Sequence, residues 1–166
     1  MTDKDEAKTW GAMLWSQFGA AIDMLENAAE ALPEKFWDDD SQSWYLVYHT
    51  LFWLDCYLDD SLKVFSPPPP FTMAEADPAG VMPDRAYSKI ELLDYLEHCR
   101  KKCRTTLLSL TDDLAKRPSG FERLGLTVAE LHLYNMRHVQ HGAAQLNLTL
   151  RKKTNAAPGW VFRAKD

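Results

Sequence analysis

Apolar side chains recur every three or four residues in four long stretches of the chain, a spacing typical of amphipathic helices. These stretches cover about residues 5–32, 42–65, 89–116 and 128–153. No stretch alternates apolar and polar residues over the length of a strand. The pattern therefore predicts an all-α fold built from four long helices.

Capping sequences support the predicted helix ends. The S-x-x-E and T-x-x-E sequences that begin at Ser88 and Thr127 are capping boxes ahead of the third and fourth helices. Asp3, followed three residues later by a glutamate, is a cap candidate for the first helix, and Pro33 marks the end of that helix.

The links between the predicted helices differ greatly in length. Residues 33–41 and 117–127 are short links that suit antiparallel neighbours, whereas residues 66–87 form a long link that contains Pro67–Pro70. Such a link can run the height of a bundle and allow the second and third helices to be parallel. We therefore predict a single domain over residues 1–166, a four-helix bundle with a long crossover between helices two and three.

Charge and composition exclude several classes of protein. The net charge is −5, so a basic nucleic-acid-binding footprint is not expected. No apolar run approaches the roughly 18 residues of a membrane helix, and the polar N-terminal residues predict no signal peptide. The three cysteines form no C-x-x-C pair, which favours a reducing, cytoplasmic location without disulfides.

Three of the five histidines lie inside predicted helices in positions that suit a shared metal ion. His138 and His141 are three residues apart and about 60° apart around one helix. His49 lies on the second helix. If these two helices face each other, the three imidazoles converge, and three protein ligands with one open position is the usual plan of a catalytic zinc site.

Structural roles compete with this interpretation. A buried histidine bonded to a backbone carbonyl is commoner than a metal ligand, and this alternative stays open for His49. His98, among basic residues, is predicted to be exposed, and His132 is predicted to lie at the surface or an interface. Cys99 and Cys103, four residues apart, are favoured as small buried core residues rather than metal ligands.

Two segments carry a resemblance to a known family. WYLVYHTLFWLDCYL around His49 and RHVQHGAAQLNLTLR around His138, with the proline-rich crossover and the later PGWVFR, resemble the DinB-like (YfiT-like) metalloenzyme superfamily. The resemblance implies a bundle with a long crossover, a homodimer, and a divalent metal such as nickel or zinc. It implies that His49 and His138 are metal ligands.

The third ligand departs from the pattern. Relatives place it four residues after the position of His138, where this chain has Gly142, so His141 is the candidate replacement. The superfamily includes thiol-dependent S-transferases, which implies a low-molecular-weight thiol and a small electrophile as partners, with Trp53 and Tyr48 shaping the electrophile pocket. The alternative is a metal-free bundle with a degenerate site that binds a small molecule or a protein.

Overall fold

The computed structural model describes residues 9–165, which form an all-helical fold, as the periodicity predicts. The described residues form no strand, and the one isolated bridge pairs Pro118 with Thr127. None of the described helices is both long and apolar enough to cross a membrane. The α-helices are α1 (Trp10–Ala31), α2 (Ser43–Cys56), α3 (Lys89–Leu108), α4 (Asp112–Ala115) and α5 (Val128–Thr154).

Helix α2 ends about nine residues earlier than the periodicity predicts. It stops at Cys56, and the next residues form turns until Phe65 returns to the core with 5% of its surface exposed. The predicted continuation carries Asp59, Asp60 and Ser61. The two aspartate carboxylates are unfavourable near the negative C-terminal end of the helix dipole, and all three side chains favour turns. The long link therefore covers residues 57–88.

The third predicted helix is divided in two. Helix α3 ends at Leu108, and Thr111 then caps the short α4, because its side chain accepts a hydrogen bond from the Leu114 N–H. A hydroxyl that caps a new helix competes with continuation of the old one, which explains the break.

The predicted caps are found where the structure describes them. Ser88 and Thr127 form complete capping boxes at the starts of α3 and α5. Helix α1 begins at Trp10, where the Thr9 side chain accepts a hydrogen bond from a backbone N–H of the first turn. The predicted cap at Asp3 lies outside the described residues.

The long helices pack in four pairs around one core. Helix α1 contacts α3 and α5, and α2 contacts the same two helices from the other side. Helices α2 and α3 run in the same direction, because Leu51 lies beside Cys99 and Asp55 lies beside Lys102. The length of the link over residues 57–88 allows this parallel arrangement.

Aromatic side chains fix the path of the long link against the core. Phe71 is buried in the link and stacks on Tyr95 of α3, with ring centroids 4.3 Å apart and planes 19° apart. Phe71 also packs against Tyr48 of α2 and Tyr87 at the end of the link. These contacts hold the middle of the link over the surface of α2.

The segment after α5 lies along α1, but its two largest side chains do not hold it there. Trp160 and Phe162 are 65% and 80% exposed, so they do not anchor it. Instead, the N–H of Ala164 donates to the Ser16 carbonyl at 2.8 Å, and the Cβ of Ala164 fills the space left by Gly19. Backbone contacts therefore dock this segment.

His132 is buried, with 3% of its surface exposed, and the prediction of a surface position is wrong. Neither of its ring nitrogens has a hydrogen-bond partner. His98 is exposed, and Cys99 and Cys103 are buried free thiols, as predicted. Because α5 is in contact with α1, α2 and α4, more of its circumference is covered than an amphipathic pattern suggests.

We expect His132→Leu to make the protein less sensitive to acid. Burial lowers the pKa of His132 to about 4, so between its ordinary pKa of 6.5 and about 4 the unfolded chain binds a proton that the folded chain does not. Folding stability is therefore lost as the pH falls through this window, by about 2–4 kcal/mol for this residue.

Urea unfolding near neutral pH and near pH 4 measures the effect. Over this window His132→Leu is expected to lose about 2–4 kcal/mol less than the unmodified protein, while His141→Gln, at an exposed histidine, loses as much as the unmodified protein. Equal acid losses in the His132→Leu variant and the unmodified protein would contradict this assignment.

Candidate active site

Helix α2 presents three hydrogen-bond donors on one face to a single carboxylate. Tyr45, His49 and Trp53 are spaced four residues apart, which places them one above another on the helix. The Tyr45 hydroxyl donates to Oε2 of Glu75 at 2.8 Å, and the Trp53 indole N–H donates to Oε1 at 3.2 Å. Nδ1 of His49 lies 2.5 Å from the same Oε1.

Glu75 comes from a 3₁₀ turn, Met73–Ala76, in the long link. Its side chain is 7% exposed. Burial alone would raise the pKa of this carboxyl, but the hydrogen bonds from His49, Tyr45 and Trp53 outweigh burial and lower the pKa. Glu75 is therefore an ionised acceptor, so Nδ1 of His49 carries a proton that it donates to Glu75.

His138 of α5 is the nearest aromatic neighbour of His49 from another helix. Their ring centroids are 5.3 Å apart, with the planes inclined by 61°. Within residues 9–165, the buried Nε2 of His138 has no hydrogen-bond partner. Burial lowers the pKa of His138 to about 4, and the charges of His49 and His141 contribute, so its imidazole is neutral at physiological pH.

The structure brings His49 and His138 together but leaves His141 apart from them. His141 is exposed, and within residues 9–165 no hydrogen bond or ring contact joins it to either of the other two rings. Gly142 is buried against α2, where a Cβ would lie 2.3 Å from Oγ1 of Thr50. The position at which the resemblance implies a third ligand is therefore occupied by close packing between helices.

An open cleft of about 540 Å³ lies beside His49. His49 and Glu75 form part of its wall, and Gln145 and Thr149 of α5 face them across it. The cleft thus joins the His49–Glu75 pair to solvent and supplies amide and hydroxyl groups that can hydrogen-bond to a bound molecule.

The residues present fit part of the metal site that the resemblance implies. Two imidazoles lie side by side, one against a carboxylate and one with a buried nitrogen that no described residue pairs, and imidazole is a common metal ligand. Residues 9–165 contain no group of three or more His, Cys, Asp or Glu side chains placed to hold one ion. The described side chains therefore fit two nitrogen ligands and do not form the three-histidine set.

Sequence reasoning missed Glu75, the residue that organises the cluster. The only sequence signal was the length of the link that carries it. Trp53 lies beside the site as expected, but Tyr48 does not line its mouth, because it is fully buried and donates to the Thr72 carbonyl. Asp55, on the same helix, pairs with Lys102 and accepts a hydrogen bond from Tyr95, which is a structural arrangement.

A scan of protein-family models and searches of curated proteins and solved structures found no match to this chain. The geometry of the His49, Glu75 and His138 cluster therefore carries the functional argument.

Proposed function

We propose that this chain is a DinB-like four-helix bundle that binds a divalent cation through His49 and His138. The observation that carries the proposal is the buried, unpaired Nε2 of His138 beside a histidine held by a carboxylate. A buried nitrogen without a partner is costly unless something binds it. In metal sites a ligating histidine commonly donates its other ring N–H to a carboxylate, which is the relation of His49 to Glu75.

The chain's own residues have distinct roles in this proposal. Glu75 keeps the proton on Nδ1 of His49 and fixes the orientation of the ring, so that Nε2 presents its lone pair. Burial keeps His138 neutral and able to bind. Gln145 and Thr149, across the cleft, are placed to hydrogen-bond to a molecule that enters it.

A bound zinc or nickel ion would polarise a ligand in its open positions and lower the pKa of a thiol bound there. The cleft beside His49 offers room for such a thiol and for a small electrophile. We therefore include divalent-metal-dependent S-transfer in the proposal, together with the homodimer that the resemblance implies and the cytoplasmic location that the cysteine pattern favours.

Metal content separates the proposed ligands from the exposed histidine. We expect the protein, saturated with zinc or nickel and desalted, to retain about one ion per chain by plasma mass spectrometry. His49→Ala and His138→Ala are expected to lose that ion. His141→Ala is the matched control and is expected to retain it, because His141 does not contact the pair. Retention of metal by His138→Ala would refute the proposal.

A metal-free binding protein is the second candidate, and the packing of Gly142 against Thr50 favours it. A glycine that lets two helices touch removes the family ligand and blocks its simple return. In this alternative the neutral imidazoles and Glu75 bind a small molecule directly. It predicts that a chelator leaves the melting temperature unchanged and that no ion is retained after saturation with metal.

A further inference from the structure

A second cleft, of about 790 Å³, is lined in part by Trp53 and by no histidine. Its walls are two loops, residues 60–63 from the long link and residues 120–124 ahead of α5. The loops touch at Gly120, where a Cβ would lie 1.8 Å from the Asp60 carbonyl oxygen. This close approach requires glycine and fixes the separation of the two walls.

One side of the cleft is an aromatic surface. Trp53 and Tyr57 stack with ring centroids 5.4 Å apart and planes inclined by 28°. Phe121 meets Tyr57 edge-on, at 5.0 Å and 71°. These rings offer both a flat face and an edge, the two arrangements in which a further aromatic ring packs favourably.

Each wall also carries one acid and one base. Asp60 and Lys63 belong to the first loop, and Glu122 and Arg123 belong to the second. In the part of the chain that the structure describes, none of these four side chains forms an ion pair or a side-chain hydrogen bond. Their charges therefore remain available to a molecule in the cleft.

We propose that this cleft binds a planar aromatic molecule that carries both a carboxylate and an ammonium group, the chemistry of an aromatic amino acid. The ring would pack on Trp53 and Tyr57, the carboxylate would meet Lys63 or Arg123, and the ammonium would meet an acid of either wall. A ligand of one charge alone would leave half of this arrangement unused. The inference does not depend on metal binding at the histidine pair.

Three indole compounds that share one ring system test the charge requirement. Tryptophan carries both charges, tryptamine carries the ammonium alone, and indole-3-propionate carries the carboxylate alone. Equilibrium dialysis against the full chain, with a chelator present, measures each Kd. We expect tryptophan to bind about threefold or more tighter than either analogue, the scale of one exposed ion pair. Equal Kd values, preference for a singly charged compound, or no binding would overturn the proposal.

Two loop variants assign the charges. Arg123→Ala is expected to weaken the binding of tryptophan and indole-3-propionate about threefold and to leave the binding of tryptamine unchanged. Glu122→Gln is expected to weaken the binding of tryptophan and tryptamine about threefold and to leave the binding of indole-3-propionate unchanged. Arg104→Ala, an exposed charge on α3, is the matched control and should change no Kd. Circular dichroism checks folding. If both variants weaken the binding of all three compounds alike, the charge assignment is refuted. The His138→Ala variant is expected to give the same three Kd values as the unmodified protein, whether or not it has lost a metal ion.

Discussion

Gly142→Ala is expected to lower the free energy of unfolding by about 1–3 kcal/mol, the usual cost of overpacking a core. On helix propensity alone the change would stabilise the protein by about 1 kcal/mol, because alanine is the better helix former. The packing against Thr50 reverses the sign. An added Cβ would lie 2.3 Å from Oγ1 of Thr50 and 2.9 Å from its Cγ2, and both helices are buried at this point.

Urea unfolding of four proteins isolates the clash. The unmodified chain, Gly142→Ala, Thr50→Ala and the double variant form a cycle, and we expect the double variant to be more stable than the two single changes predict together. Thr50→Ala removes the two atoms that lie closest to the added Cβ, leaving its own Cβ at 3.1 Å. A single Gly142→Ala variant that is more stable than the unmodified chain would contradict the packing argument.

The same cycle extends to the candidate metal site. Gly142→His alone is expected to destabilise the fold, because the larger side chain meets the same atoms of Thr50. In combination with Thr50→Ala, a histidine at position 142 would supply the ligand that the family resemblance places there. Metal affinity in that double variant should exceed that of the unmodified chain if His49 and His138 bind a cation.

Glu75→Ala is expected to lower the free energy of unfolding by about 2–3 kcal/mol at neutral pH. The change leaves the donors of Tyr45, His49 and Trp53 without their shared acceptor. It also removes the carboxylate that selects the tautomer of His49. Histidine side-chain nitrogen shifts in NMR spectra should therefore show a single tautomer, with the proton on Nδ1, in the unmodified protein and a mixture in the variant.

The effect of Glu75→Ala on the free energy of unfolding should depend on pH. The pKa of Glu75 is lowered in the folded state, so its stabilisation is present above its ordinary pKa of 4.5 and is lost as the pH falls below that value. The difference in stability between the unmodified protein and Glu75→Ala should therefore shrink in acid. Asp84→Ala, an exposed acid in the same link, is the control. If Glu75→Ala lowers the free energy of unfolding no more than Asp84→Ala does, Glu75 does not organise the cluster.

Helix content was predictable from the sequence because it depends on local spacing. The capping boxes at Ser88 and Thr127 required only residues three apart, and both are present. The end of α2 was not predictable from periodicity, because the apolar residues beyond Cys56 continue the helical spacing. Phe65 is buried, but it reaches the core through turns, and only the packed structure distinguishes that route from a helix.

The candidate site shows the same division. His49 and His138 were predicted as neighbours on the condition that their helices face each other, and those helices are in contact. The carboxylate that orients His49 was not, because the position of Glu75 depends on the stacking of Phe71 on Tyr95, which has no local sequence signal. Likewise, the spacing of three residues between His138 and His141 suggested that both are ligands. In the structure Gly142 packs against Thr50, and the neighbouring His141 is exposed to solvent.

The docking of Ala164 on α1 bears on the order in which the fold forms. The contact joins the Ser16 carbonyl to a residue 148 positions later in the chain, and α1 leaves the space beside Gly19 open to receive it. Bringing such distant segments together costs more chain entropy than any local contact. During synthesis this part of α1 therefore stays uncovered until α5 and Ala164 have been made.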